Sequence, residues 1–212
     1  MTDPFKRSIA TSADDAAKIA PRAEFRVFGR GVIDVVKARM WDVHALLRGM
    51  RRMPLEVYLV SDQPHDAIVK VRDGLLDIKV KKGETPEGYE IFQPRGTFPF
   101  PLRHEALANA LSELKVSIDL TADLYPIEVF IAIARRHAEL VTVNVEKMRY
   151  GFTVNGVLCE YAEVWINGAM MESACCESED YSALSEVVEA LWLSGFDNVN
   201  YVKAAKQLLG MA

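Results

Sequence analysis

Apolar and polar residues alternate through the second half of the chain, from Val141 to Asp180, and two Asn-Gly pairs interrupt them at Asn155-Gly156 and Asn167-Gly168. Asn-Gly suits a two-residue type I′ turn, because both positions tolerate positive φ and the turn's twist matches that of paired strands. The pattern predicts three consecutive antiparallel strands over 141–154, 157–166 and 169–179. The turns also set a register. Val154 meets Val157, which brings Arg149 opposite Ala162 and Lys147 opposite Val164. Ile166 meets Ala169, which brings Glu160 opposite Cys175 and Leu158 opposite Glu177. Paired residues share a face, and faces alternate along a strand. One face then carries Lys147, Arg149, Glu160, Cys175, Glu177 and Glu179. The other carries Met148, Tyr150, Phe152, Tyr161, Trp165 and Met170, a surface suited to packing under helices.

The same logic applies to 67–82, AIVKVRDGLLDIKVKK, with its turn at Asp73-Gly74. Lys70, Arg72, Asp77, Lys79 and Lys81 fall on one face, and Val69, Val71, Leu76, Ile78 and Val80 on the other. Upstream, AEFRVFGR reads as a strand with Glu24, Arg26, Phe28 and Arg30 on one side and Phe25 and Val27 on the other. LEVYLVS (55–61) alternates likewise, with Leu55, Val57 and Leu59 together, and GYEIFQ (88–93) is a further strand followed by a proline-rich connection over 94–101. Apolar residues at three- and four-residue spacing predict helices over 32–50, 103–114, 182–195 with a stop at Gly195, and 201–210. Residues 127–137 fit either a helix or a strand. Residues 1–21 read as an N-terminal arm, loose or with a short peripheral helix, and 22–212 as a single domain.

Composition narrows the function classes. The 212 residues are 50% hydrophobic and 26% charged, ordinary values for a globular protein. A net charge of −5 argues against nucleic-acid binding through the overall field. No apolar run reaches the length of a membrane span, and MTDPFKRSIATSADDAAK has no signal-peptide core, so the expectation is no membrane partner. Cys159, Cys175 and Cys176 form no disulfide framework, which fits reduced thiols in a bacterial-type cytoplasm. His44, His65, His104 and His137 show no metal-ligand spacing. The unusual feature is where the cations fall. Arg26, Arg30, Lys70, Arg72, Lys79, Lys81, Lys147 and Arg149 gather on the polar faces of an acidic protein, with Glu24, Asp77, Glu160, Glu177 and Glu179 among them. A half-exposed sheet shows the same alternation. Cations crowded on a concave surface instead need acids or a bound anion to screen them.

The order of these strands resembles the CYTH superfamily, the triphosphate tunnel metalloenzymes. The residues that carry the resemblance are VKVRDGLLDIKVK, the later Lys-x-Arg strand VEKMR, VLCEYAEV, the acidic run ESEDYSALSEVVEAL, and Tyr201 on a final helix. The resemblance covers most of the chain after residue 22. It implies an α+β fold, an antiparallel eight-stranded β-barrel or tunnel with helices packed outside, and a metal-dependent triphosphatase activity (phosphoric anhydride hydrolysis) or, in one branch, cyclisation of ATP. It implies phosphate binding by Lys70, Arg72, Lys79, Lys81, Lys147 and Arg149. Glu24, Glu160 and Glu177 would hold Mg2+ or Mn2+. The family's first strand carries EXEXK, whereas Glu24, Arg26 and Phe28 stand here, which adds Arg26 to the phosphate-binding candidates. Cys175 stands where the family has a glutamate, and a thiol is a poor ligand for a hard cation. The basic half of the site survives better than the acidic half.

Two readings follow, a divergent triphosphatase and a non-catalytic binder of a small phosphorylated anion on the same tunnel. A merely solvated charged sheet is the third. The aromatics fall on the opposite face from the cations, which counts against base stacking and nucleic acid. A homo-oligomer stays open.

Overall fold

The hairpins form with the expected register. The computed structural model describes residues 8–63 and 66–211, so His65 and the first seven residues of the N-terminal arm lie outside the described residues. The central meander comprises β8 (Leu140–Val154), β9 (Val157–Ile166) and β10 (Ala169–Ser178). Lys147 pairs with Val164, Arg149 with Ala162, Glu160 with Cys175 and Leu158 with Glu177. Asn155 and Asn167 each adopt φ 48°, as a type I′ turn requires. The second hairpin joins β3 (Ala67–Arg72) to β4 (Leu75–Glu84), with Lys70 opposite Asp77 and Ile68 opposite Lys79.

These strands join β1 (Arg22–Gly29), β2 (Leu46–Ser61) and β5 (Glu90–Pro99) in a closed antiparallel barrel of order β1-β10-β9-β8-β2-β3-β4-β5. This is the eight-stranded tunnel that the CYTH resemblance implies. A two-stranded sheet of β6 (Leu102–Arg103) and β7 (Leu124–Tyr125) lies outside it.

Three apolar clusters explain the helices. The outward residues of β1, β8, β9 and β10 (among them Phe25, Phe152, Tyr161 and Cys176) are buried under α2 (Val32–Met40) and α5 (Tyr181–Ala190). The outward face of β3 and β4 is buried with α3 (His104–Glu113) and α4 (Ile127–Arg136), which settles 127–137 as a helix. The third cluster lies inside the barrel. Tyr58, Val143, Val145, Val164 and Ile166 point inward at one end, and Tyr201, Val202 and Ala205 of α6 (Tyr201–Leu209) pack against them. Helix α6 closes that end.

Other expectations needed correction. Helix α2 ends at Met40, not near residue 50, and β2 begins at Leu46 instead of Leu55. Strand β8 is long, and its outer half from Met148 to Thr153 pairs with Leu46–Arg52, so strand pairing overrides the helical spacing of Val43 and Leu47. Strand β5 runs through the proline-rich stretch to Pro99. Beyond Phe92 it has β4 alone as a strand partner in the barrel, and proline is tolerated on such a one-sided strand. Helix α5 stops at Ala190, five residues before Gly195, where Trp192 takes φ 59°. Short helix α1 (Ala13–Ala17) is capped by Ser12 and held to β5 by Gln93 Nε2, which donates to the carbonyls of Ala16 and Ile19.

Candidate functional site

Every cation assigned by resemblance faces the barrel interior, but not as a free basic lining. The charges are tied into two knots and a rim pair. In the first knot, β1 brings Glu24 and Arg26 inward, β9 brings Glu160 and β8 brings Arg149. Arg26 donates through Nε to Glu24 Oε1 at 2.8 Å and through Nη1 to Glu160 Oε1 at 2.9 Å. Arg149 donates to Glu160 Oε2 through Nε at 2.7 Å and also through Nη2. Burial opposes ionisation of Glu160, but Arg149 and Arg26 outweigh it and hold its carboxyl down at about 2. Burial likewise opposes ionisation of Glu24, and Arg26 with Lys79 keeps its carboxyl below the ordinary value.

The second knot was only half legible. Its centre is Glu56, fully buried on β2, with Tyr58 beside it. Glu56 Oε2 accepts from Lys147 Nζ at 2.7 Å and from Lys70 Nζ at 3.3 Å, and both ammonium groups also donate to Tyr58 Oη, at 3.1 and 3.3 Å. Burial pushes Lys70 down to about 8 and Lys147 well below the ordinary lysine value, because one carboxylate serves two ammonium groups. The Asp77 carboxylate lies 2.7 Å from Arg72 Nη2 and 4.0 Å from Lys70 Nζ. The first contact is charge against charge, since Asp77 Oδ2 lacks hydrogen-bonding geometry; Glu56 Oε1 and Arg72 Nε are also buried without hydrogen-bond partners. Lys79 makes no ion pair among the described residues, although it is close enough to depress the Glu24 carboxyl. Three cations thus share two carboxylates, with Lys79 nearby as a further positive charge. Glu56 and Tyr58 were missed. Both sit on the polar face of LEVYLVS, but nothing local says that this face looks into a barrel.

Lys81 sits apart from both knots, pairing with Glu84 at 2.6 Å and Glu90 at 3.4 Å. Glu177 accepts from Arg22 Nη1 at 3.1 Å. Lys206 is buried on α6 and donates to the Gln63 carbonyl.

The residues present do not fit a divalent metal. Glu24, Glu160 and Glu177 each give carboxylate oxygens to an arginine. Among the described residues, no group of three or more His, Cys, Asp or Glu is placed to hold a metal ion. Cys175, opposite Arg26 on β10, is buried, and burial pushes its thiol up, so it offers no anionic ligand. Beside the first knot lies a small pocket of about 30 Å3, lined in part by Arg26, Arg149, Glu160, Cys175 and Glu177. That is about enough for a single water.

No family model matches the chain, and no curated protein matches it. Among solved structures it is similar to a protein from Pyrococcus horikoshii (15% identity, covering 85% of this chain and 97% of that one, TM-score 0.48). It is also similar to a conserved hypothetical protein from Pyrococcus furiosus (13% identity, 85% and 98%, TM-score 0.49). A third is a candidate adenylyl cyclase from Hippeastrum described as having a dominant triphosphatase activity (11% identity, 91% and 96%, TM-score 0.48). These likenesses assign neither ligand nor site residue. No helix among the described residues is long and apolar enough to cross a membrane.

Proposed function

We propose that this chain binds a small phosphorylated anion, a polyphosphate or a triphosphorylated compound, inside its barrel and does not hydrolyse it. The observation that carries the reading is the cation excess around Glu56. Lys70, Lys147 and Arg72 share Glu56 and Asp77, Arg72 Nε is unbonded, and Lys79 stands nearby without an ion pair among the described residues. Excess positive charge in a low-dielectric interior is costly, and an incoming phosphate relieves it by taking up charge-assisted hydrogen bonds. Because Lys70, Lys147 and Arg72 are paired with Glu56 and Asp77, an entering phosphate takes these side chains off their internal carboxylates.

Hydrolysis is the weaker reading for this chain. Hydrolysis would draw on a divalent metal to lower the pKa of the attacking water, and the carboxylates that would hold such an ion are engaged by Arg22, Arg26 and Arg149. The test is to incubate the protein with tripolyphosphate, ATP and thiamine triphosphate, with and without Mg2+ or Mn2+, following thermal stabilisation and phosphate release together. Stabilisation without release is expected. Metal-dependent release would make the chain a hydrolase, and neither effect would remove both tunnel readings.

A further inference from the structure

We infer that the Arg26 guanidinium stands where a divalent cation would sit, so that the barrel binds its ligand without a metal. This goes beyond the ligand reading, because it concerns the cation and holds whichever anion enters.

Three observations meet at this residue. Arg26, Cys175 and Glu160 are successive partners across β1, β10 and β9, so their inward side chains lie at one level of the barrel. At that level the guanidinium bridges two carboxylates carried by different strands, Glu24 at 2.8 Å and Glu160 at 2.9 Å, with Ser173 Oγ at 3.4 Å. Two buried carboxylates facing one point repel each other unless a positive charge lies between them. Here a side chain supplies that charge.

The side chain is also fixed in place. Strand β5 leaves β1 at Glu24, so the freed backbone edge at Arg26 is taken by the segment leading into α6. Asn198 Oδ1 accepts from the Arg26 N–H at 2.9 Å, and the Arg26 carbonyl accepts from Val199 N at 2.7 Å. The guanidinium lies over the Tyr201 ring, 4.7 Å from its centroid. A cation–π contact on one side and two carboxylates around the rim leave it no second seat.

The third observation is what the guanidinium cannot do. It carries one permanent charge, and its N–H groups point in fixed directions. It has no coordination site at which a water could be bound and acidified. Cys175, the next inward group at this level, is a buried neutral thiol and supplies no oxygen ligand for a hard ion. Arg26 therefore reproduces the neutralising role of a metal without its power to activate water.

The experiment uses the purified protein with no phosphate ligand present, so its outcome is independent of whether the anion reading holds. Mn2+ and Mg2+ are titrated into the wild type and Arg26→Ala, and binding is read by Mn2+ electron paramagnetic resonance and by the melting temperature. The wild type is expected to bind no ion in the barrel and to melt unchanged. Arg26→Ala uncovers Glu24 and Glu160, and is expected to gain Mn2+ binding. Its melting temperature should rise by roughly 5–10 °C when the metal is at about 100 times its Kd, and Arg26→Ala/Glu160→Gln should lose that gain. Arg26→Gln, which retains bulk and polarity, serves if the alanine variant does not fold. A folded Arg26→Ala or Arg26→Gln that gains no metal overturns the inference. So does wild-type Mn2+ uptake that Glu160→Gln abolishes.

Discussion

The two buried knots of the barrel use the same kinds of side chain and come out differently. Around Glu160, the two arginines and two glutamates balance, and both oxygens of Glu160 are hydrogen-bonded. Around Glu56, three cations share two carboxylates, and polar atoms of Glu56, Asp77 and Arg72 lack hydrogen-bond partners. The cations differ in kind as well. Arginine cannot shed its proton in a protein, whereas a buried lysine can. The balanced knot is therefore locked, while the unbalanced knot can adjust by losing a proton or gaining an anion. That difference is why ligand binding is proposed at one knot and not at the other.

The largest expected effect comes from removing the central carboxylate of each knot. Glu56→Gln and Glu160→Gln should each cost about 3–5 kcal/mol in urea unfolding at neutral pH, because each leaves buried cations without their counter-charge. The two should part company in alkali. The Glu56→Gln loss should shrink as pH rises, because burial already lowers Lys70 and Lys147 and both can shed their protons, and the Glu160→Gln loss should not, since Arg26 and Arg149 stay charged. Parallel behaviour of the two variants would erase the distinction.

The pH dependence of the unmodified protein gives a somewhat smaller signal with a definite sign. Lys70 titrates at about 8 when folded against an ordinary 10.5. Between those values the unfolded chain holds the proton and the folded chain does not, so the Lys70 contribution to stability should rise with pH, by about 3 kcal/mol. The difference in denaturation midpoint between the wild type and Lys70→Met, followed from pH 7.5 to 10.5, isolates that rise. Glu160 works in the opposite range. Its folded pKa of about 2 lies below an ordinary 4.5, so its contribution is complete above pH 4.5 and drains away as pH falls toward 2.

Two tyrosines sharpen the comparison at the small end. Tyr58 Oη accepts from both lysines of the unbalanced knot, so Tyr58→Phe should cost about 1–3 kcal/mol. Tyr201 Oη is buried with no hydrogen-bond partner, so Tyr201→Phe should leave stability within about 0.5 kcal/mol or raise it. Thermal melts of the pair decide the matter.

The strands and their register were readable because Asn-Gly and Asp-Gly turns fix which residues oppose one another, and alternation then fixes the faces. That is why Lys147, Arg149 and Glu160 are placed on one face, and Lys70 and Asp77 on another, from residues alone; that these faces look inward is what the resemblance implies. The pairing of those charges was not readable. Arg26 meets Glu160 across a sequence separation of 134, and Lys147 meets Glu56 across 91; closure of the barrel, not any local signal, creates those contacts. The start of β2 was misread for a related reason. Leu46–Arg52 becomes a strand because the outer half of β8 needs a partner, and that need is invisible in Leu46–Arg52 itself.

Helix α6 has a consequence for traffic. Because Tyr201, Val202 and Ala205 pack into one end of the barrel, that end is stoppered among the described residues. A long polymer could offer only its terminus to the lysines and arginines inside, and could not be threaded out through the end that α6 fills.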